Sequence, residues 1–360
     1  MSDEVYNDLM VNIFERLPLK SIIRFRSLSK YWHSSIASQE FIRNHSLRCS
    51  KNPPKVLIRH LTYCGNYTFK DIYTLHSADQ LPLDPARPGY MGIPGVSFPY
   101  RHRTTEIVGS FNGIICLCDD KEISLWNLSI RRRLIVPYPP SKSSPNVHVT
   151  LGFGFDPITN DYKIVSISCN KSELDENNTF IYSLKTDSWS TIPSPSTPFY
   201  YVKSNACFFN GILHWAVNGY LTTEPTTRHR SSFMLTFDFS GNVFGYKLLP
   251  LEDGYFCKGG HGWLRVMKEY GKTESWPELC KLQKESLLGT NFYNPQTGSY
   301  TKLLEFGPDC YKVEMDMYVE SLELLDKERS TTCGKTIFSW TKKGDGKKIK
   351  LSRMYIAFAN

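Results

Sequence analysis

The chain has 360 residues, 41% of them hydrophobic, which is ample for one large folded unit and one small one. Its acidic start, Met1-Ser-Asp-Glu4, lacks the basic and apolar regions of a signal peptide, and no apolar run approaches the ~20 residues of a membrane span, so a cytoplasmic or nuclear address without membrane association is expected. The formal charge of +8 suggests nucleic-acid binding only until it is located: residues 327–360 carry nine Lys or Arg against two acidic residues, which leaves the body nearly neutral and makes the tail a solvated charge run.

The first strong pattern runs from Val5 to Pro18. Leu9, Ile13, Phe14 and Leu17 recur at the spacing of one helical face, and Asp8, Asn12, Glu15 and Arg16 fill the other. Pro18 cannot continue that helix but suits the first turn of the next, expected over Lys20–Phe25 and carrying Ile22. Ser29, following Leu28, is placed to cap a third helix carrying Tyr31, Trp32 and Ile36; Ser38 with Glu40 then marks a last turn presenting Phe41 and Ile42. Three short helices in residues 4–45 form a unit too small to bury its own apolar surface, so it asks for a partner.

A polar, proline-bearing linker closes this block, over residues 46–55. From Val56 to about Leu325 the pattern changes to aromatic and β-branched runs separated by Gly, Pro, Asn and Asp turns, the mark of many short strands. A hairpin unit repeats over Ile123–Pro137, Phe180–Pro193 and Phe233–Pro250, with weaker copies over Arg265–Leu282 and Leu287–Phe306. Further hairpins are set by Asn112-Gly113 and Asn210-Gly211, since both residues of an Asn-Gly pair accept positive φ. Two hairpins make a four-stranded blade, and residues 56–325 have room for about six at roughly 45 residues each. The expected fold is therefore mainly β, a β-propeller-like domain behind a small N-terminal α domain; a β-sandwich with insertions is the other architecture these strands allow. Residues 251–265 are glycine-rich with room for little more than one strand, and 336–358 in the basic tail of 326–360 allow a terminal hairpin.

No site for chemistry emerges. The ten cysteines are scattered without a CxxC pair and read as reduced thiols, and the nine histidines show no ligand spacing, so neither a metal nor a cofactor is expected. Gly152-Phe-Gly-Phe-Asp-Pro157 lacks the strand-to-helix context of a phosphate loop and reads as strand and turn. His214, beside Trp215, reads as a core or channel-facing histidine.

Taken in order, these blocks resemble plant F-box proteins that carry an F-box-associated domain, the group that includes S-locus F-box and F-box/kelch-repeat-like proteins. The N-terminal likeness rests on Leu17-Pro18, Lys20-Ser-Ile-Ile-Arg-Phe-Arg26 and Ser29-Lys-Tyr-Trp32; in the body it rests on Ile107–Leu117, Leu125-Trp-Asn127, Gly152–Pro157, Asp161-Tyr-Lys163, Asp187-Ser-Trp189, Asn210–Trp215 and Glu274-Ser-Trp276. The resemblance implies that the helices dock on a Skp-type adaptor, and through it on a cullin, while the β domain binds a protein to be ubiquitinated; the subunit itself is non-catalytic. It makes Leu9, Ile13, Phe14, Leu17, Pro18, Ile22, Leu28 and Trp32 the adaptor-binding residues and leaves the substrate-binding residues unknown. Val5-Tyr6, Asn12 and Ser27 depart from the family pattern and bear on adaptor affinity; residues 251–265 are shorter than the stretch in which the family fits an additional pair of strands, so the resemblance implies that one blade is incomplete. The reading from another class is a non-ligase scaffold, or a carbohydrate or nucleic-acid binder, in which the helices are only a cap.

Overall fold

A computed structural model of the chain describes residues 2–53, 55–65, 68–77, 106–119, 122–140, 147–170, 178–197, 199–202, 205–224, 227–248, 261–265, 278–283, 290–294, 299–304, 310–327 and 331–332. Four helices open it, not three: α1 (Ser2–Phe14), α2 (Leu19–Phe25), α3 (Lys30–Ile36) and α4 (Gln39–Cys49). The expected last turn is a full helix for a local reason. The Ser38 hydroxyl accepts from the Phe41 amide at 3.2 Å, Glu40 lies in the first turn where a negative charge suits the helix dipole, and Phe41, Ile42 and His45 form one buried stripe. Ser29 caps α3 in the same way, accepting from Trp32 N at 3.2 Å. Pro18 stands one position earlier than expected, at the N-cap of α2, with its carbonyl accepting from Ser21 and Ile22.

The rest is strand: β1 (Lys55–Gly65), β2 (Thr68–Ser77), β3 (Glu106–Phe111), β4 (Ile114–Cys118), β5 (Ile123–Asn127), β6 (Arg132–Val136), β7 (Val147–Asp156), β8 (Asp161–Asn170), β9 (Asn178–Ser183), β10 (Ser188–Thr191), β11 (Phe199–Val202), β12 (Cys207–Phe209), β13 (Ile212–Glu224), β14 (Thr227–Asp238), β15 (Val243–Leu248), β16 (His261–Arg265), β17 (Glu278–Gln283), β18 (Thr290–Asn294), β19 (Ser299–Leu304), β20 (Cys310–Tyr318) and β21 (Thr331–Thr332). They form antiparallel meanders of the kind a propeller blade repeats. β3 to β6 lie in sequence order with β21 on the outer edge, β7 to β10 make a four-stranded sheet, and β13, β14 and β15 run together with β11 and β12 beside β13. Two hairpins, β16–β17 and β18–β19, follow, and the sixth sheet among the described residues joins chain ends, in the order β2-β1-β20. The hairpin copies expected over Ile123–Pro137, Phe180–Pro193, Phe233–Pro250 and Leu287–Phe306 are present as β5–β6, β9–β10, β14–β15 and β18–β19. Of the copy expected over Arg265–Leu282, β17 stands at its end but pairs with β16, which precedes it and ends at Arg265. Of the short 251–265 segment only β16 lies among the described residues, and the tail hairpin lies outside them.

The chain divides into two compact units, one holding α1–α4, β1–β6 and the stretch from Val313 through β21, the other holding β7–β19. In the second unit Trp215, Phe233, Leu235 and Phe237 pack with Val165 and Ile167. The glycines of the Gly-Phe-Gly-Phe-Asp motif serve that packing: a Cβ on Gly152 would lie 2.4 Å from the Trp215 ring. Asp156, at the end of β7, binds Lys163 Nζ at 2.7 Å and the Ile158 amide at 2.9 Å, closing a turn, not a phosphate cradle. Burial pushes the Asp156 pKa up, but the bonds from Lys163, Thr159 and Ile158 outweigh it and hold the carboxyl below its ordinary value.

In the first unit Leu57, Tyr73, Ile107, Ile115, Leu117, Trp126 and Tyr318 form one core, and the helices form another. Between β1 and β20 a buried ion pair joins Arg59 to Glu314 at 2.7 Å, with Glu314 also accepting from the Ile107 amide at 3.2 Å.

Candidate docking surface

The apolar residues of the helices separate into a scaffold and a surface. Phe14 stacks on Phe25, with ring centres 4.9 Å apart and an interplanar angle of 11°, and meets the edge of Trp32 at 4.7 Å. Phe14, Leu19, Ile22, Ile36, Phe41 and Ile42 are buried, and Met10, Val11, Leu17, Ile23, Phe25 and Trp32 are half-buried against them. Of the eight residues singled out from the sequence, Phe14 and Ile22 therefore lie in the core, and Leu17 and Trp32 lie at its margin. Pro18 is exposed, and Leu9, Ile13 and Leu28 are 59%, 44% and 61% exposed. Tyr31, edge-on to Trp32 at 4.9 Å and 52% exposed, joins them; the sequence placed it on α3 without a role.

This division departs from the simple helical face. Met10 and Val11, not Leu9 and Ile13, accompany Phe14 inward, because α1 is packed against α2, α3 and α4 over a wider arc than one stripe. Glu15, on the polar face by spacing, is buried, and its carboxylate accepts from Asn44 Nδ2 and Arg48 Nη2, each at 3.1 Å, tying α1 to α4. His45 lies parallel to the Phe41 ring; burial lowers its pKa, partly offset by a hydrogen bond to the Leu17 backbone, so a neutral ring sits behind the α1–α2 corner. The departures Asn12 and Ser27 are both exposed and bond only to nearby backbone, Asn12 Nδ2 to Asp8 O at 3.3 Å and Ser27 Oγ to Arg24 O at 2.7 Å. The Tyr6 side chain lies outside the described residues.

Residues from the far end of the chain complete the helical core. Leu322 and Leu325 are buried in it, and Gln39 Nε2 donates to Asp326 at 2.8 Å. Lys55 pairs with Glu320 at 2.8 Å. Their spacing carries no periodic signal, and nothing in a linear reading connects them to α1–α4.

His214 in the second unit is fully buried with Nδ1 3.2 Å from the Cys207 carbonyl, and burial pushes its pKa down to about 4. Among the described residues no group of three or more His, Cys, Asp or Glu side chains converges to hold a metal ion, and no helix is long and apolar enough to cross a membrane.

Residues 6–44 match the F-box domain, and residues 97–323, more than half of the chain, match the F-box associated beta propeller domain. The chain belongs to the F-box associated β-propeller family. Similar proteins of Arabidopsis thaliana include an F-box/kelch-repeat protein, 26% identical over 311 residues that cover 76% of this chain and 78% of the relative. The F-box protein CPR1 of the same plant is 25% identical over 368 residues, covering 89% of this chain and 81% of CPR1. The four helices are thus the F-box, with α4 reaching beyond the matched segment, and the exposed residues Leu9, Ile13, Leu28 and Tyr31 all belong to it.

Proposed function

We propose that this chain is a non-catalytic substrate-recognition subunit of an SCF-type cullin-RING ubiquitin ligase, acting in the cytoplasm or nucleus. Its F-box, residues 4–45, docks on a Skp-type adaptor and so on a cullin. Its β domain, residues 56–325, a propeller of about six blades, binds the protein to be ubiquitinated. The observation that supports the reading best is the exposure of Leu9, Ile13, Leu28 and Tyr31 on helices whose core is made by Phe14, Leu19, Ile22, Ile36, Phe41 and Ile42; Leu47, on α4, is exposed as well. A soluble protein keeps such side chains together on one small unit where a partner covers them. Each is about half exposed, so covering it stabilises a complex by roughly 1 kcal/mol, about half the value for a full burial, before association costs.

The adaptor-binding set then has two roles. Leu9, Ile13, Pro18 and Leu28 touch the adaptor, whereas Phe14, Leu17, Ile22 and Trp32 hold the surface in shape. The test is capture of the full chain by a purified Skp-type adaptor. Wild type is retained; Leu9→Glu with Leu28→Glu is not, and its circular dichroism and thermal midpoint stay unchanged because both positions are exposed. A folded wild-type chain that retains no adaptor overturns the reading in favour of a non-ligase scaffold.

A further inference from the structure

An F-box of about 50 residues buries too little surface to be stable on its own. Here Leu322 and Leu325, 0% and 3% exposed, supply the missing apolar volume from the other end of the chain. The segment that carries them is fixed on the first four-stranded meander. Asn127, at the end of β5, donates to Ser321 O at 3.0 Å, Ser321 Oγ at 3.2 Å and Glu323 O at 2.9 Å. Its own carbonyl accepts from the amide of Ser129 at 2.9 Å and the hydroxyl of Tyr318 at 3.2 Å. Gly113 lets Val319 and Ser321 approach so closely that a Cβ there would lie 2.4 Å from Ser321 Oγ. Ser321 lies two residues beyond the end of β20, the strand that pairs with β1.

We infer that residues 319–325 are positioning elements for adaptor docking: the F-box is completed by this segment, and its docking surface forms only when β20 has joined β1 and the segment has been captured by Asn127. The inference rests on the proposed adaptor role for its consequence, which is that a receptor with an unfinished β domain is not loaded into a ligase. The coupling itself belongs to the free protein and is measurable there. Leu322 and Leu325 touch no adaptor in this scheme and act through Phe14, Ile22, Ile36 and Phe41.

The experiment compares the full chain with Leu322→Ser/Leu325→Ser and with the volume-conserving Leu322→Met/Leu325→Met, reading amide hydrogen exchange in α1–α4 and in β7–β10 together with adaptor affinity. In the serine variant, exchange in α1–α4 is expected to speed up on the order of thirtyfold or more while β7–β10 keeps its protection, and adaptor affinity falls; the methionine variant restores both. Unchanged exchange in α1–α4 overturns the inference. If the serine variant loses protection in β7–β10 as well, Leu325→Ala alone decides, and equal acceleration in the helices and in β7–β10 counts against the coupling. A wild-type chain that binds no adaptor removes the proposed function but leaves the exchange result to decide this inference by itself.

Discussion

Asn127 Nδ2 lies 3.0 Å from the carbonyl oxygen of Ser321, a residue 194 positions away in the chain. The same amide reaches Ser321 Oγ and Glu323 O, so the two N–H groups of one buried side chain are shared among three acceptors of the 321–323 segment. That geometry explains why a β-strand ends in Leu-Trp-Asn: the tryptophan is core, and the asparagine is a clasp for the segment that follows β20.

Asn127→Asp keeps the shape of the side chain but turns the donor into a carboxylate facing three acceptors. At neutral pH it is expected to destabilise the protein by about 1–3 kcal/mol or more. The new carboxyl is disfavoured in its charged form, so its folded pKa lies above the ordinary value of about 4. The deficit is therefore present above the folded pKa and shrinks as pH falls towards the unfolded value, where protonation returns a donor. Urea unfolding of both proteins between pH 7 and pH 4 checks this; a deficit that does not narrow on acidification rejects the account.

The two Asn-Gly turns give a matched pair. Gly113 and Gly211 have nearly the same backbone, φ 75° and 77°, so an alanine at either position bears the same left-handed strain of roughly 1–2 kcal/mol. Their surroundings differ. A Cβ at Gly211 meets nothing within 4 Å, whereas at Gly113 it would lie 2.5 Å from the backbone carbonyl of Val319. Gly211→Ala should therefore lose only the strain term. Gly113→Ala should lose clearly more and also loosen the F-box, seen as faster exchange in α1–α4. Equal losses in thermal unfolding would show that the 319–321 segment yields freely.

Closure of the first unit depends on a different interaction. Arg59 and Glu314 are almost fully buried, with side chains 1% and 6% exposed. Removing one partner leaves a charge without its counterion in a dry environment, so Glu314→Ala is expected to cost about 3–5 kcal/mol. Replacing both, Arg59→Met with Glu314→Met, should recover most of that loss, because apolar side chains of similar volume avoid the desolvation penalty. Denaturant midpoints of the three proteins measure the effect; a double variant as unstable as Glu314→Ala would mean that the pair stabilises beyond its own burial.

Much of this was legible in the sequence because it is local. Period-2 strands, Asn-Gly turns and serine caps act within a few residues, and the hairpin units β5–β6, β9–β10 and β14–β15 are found where the repeats put them. Four things were not legible. The length of α4 depended on Phe41, Ile42 and His45 sharing a core that α1 and α2 help to build. The separation of Leu9 and Ile13 from Phe14 depended on which neighbours surround α1, and a helical face drawn from spacing alone cannot distinguish buried from partner-facing positions. Leu322 and Leu325 belong to the F-box core through tertiary structure only, and Glu15 was misread as solvent-facing because its partners Asn44 and Arg48 sit on another helix.

His214 gives a pH signature separate from the docking helices. Its ring is fully buried, and burial holds its pKa near 4 against an ordinary value of 6.5. A folded pKa below the unfolded one means that the unfolded chain binds the proton more readily. The native state therefore keeps its full stability above about pH 6.5 and loses it as pH falls through that value, the loss levelling off below about pH 4. The difference corresponds to about 3 kcal/mol. His214→Gln retains a polar side chain of similar length but does not titrate, so its urea midpoint should fall less steeply between pH 7 and pH 5 than that of wild type. His45 and His76 are also lowered by burial and leave some slope in the variant. Identical slopes in the two proteins would show that His214 is protonated in the folded chain, and the packing around Trp215 would then have to open to admit the charge.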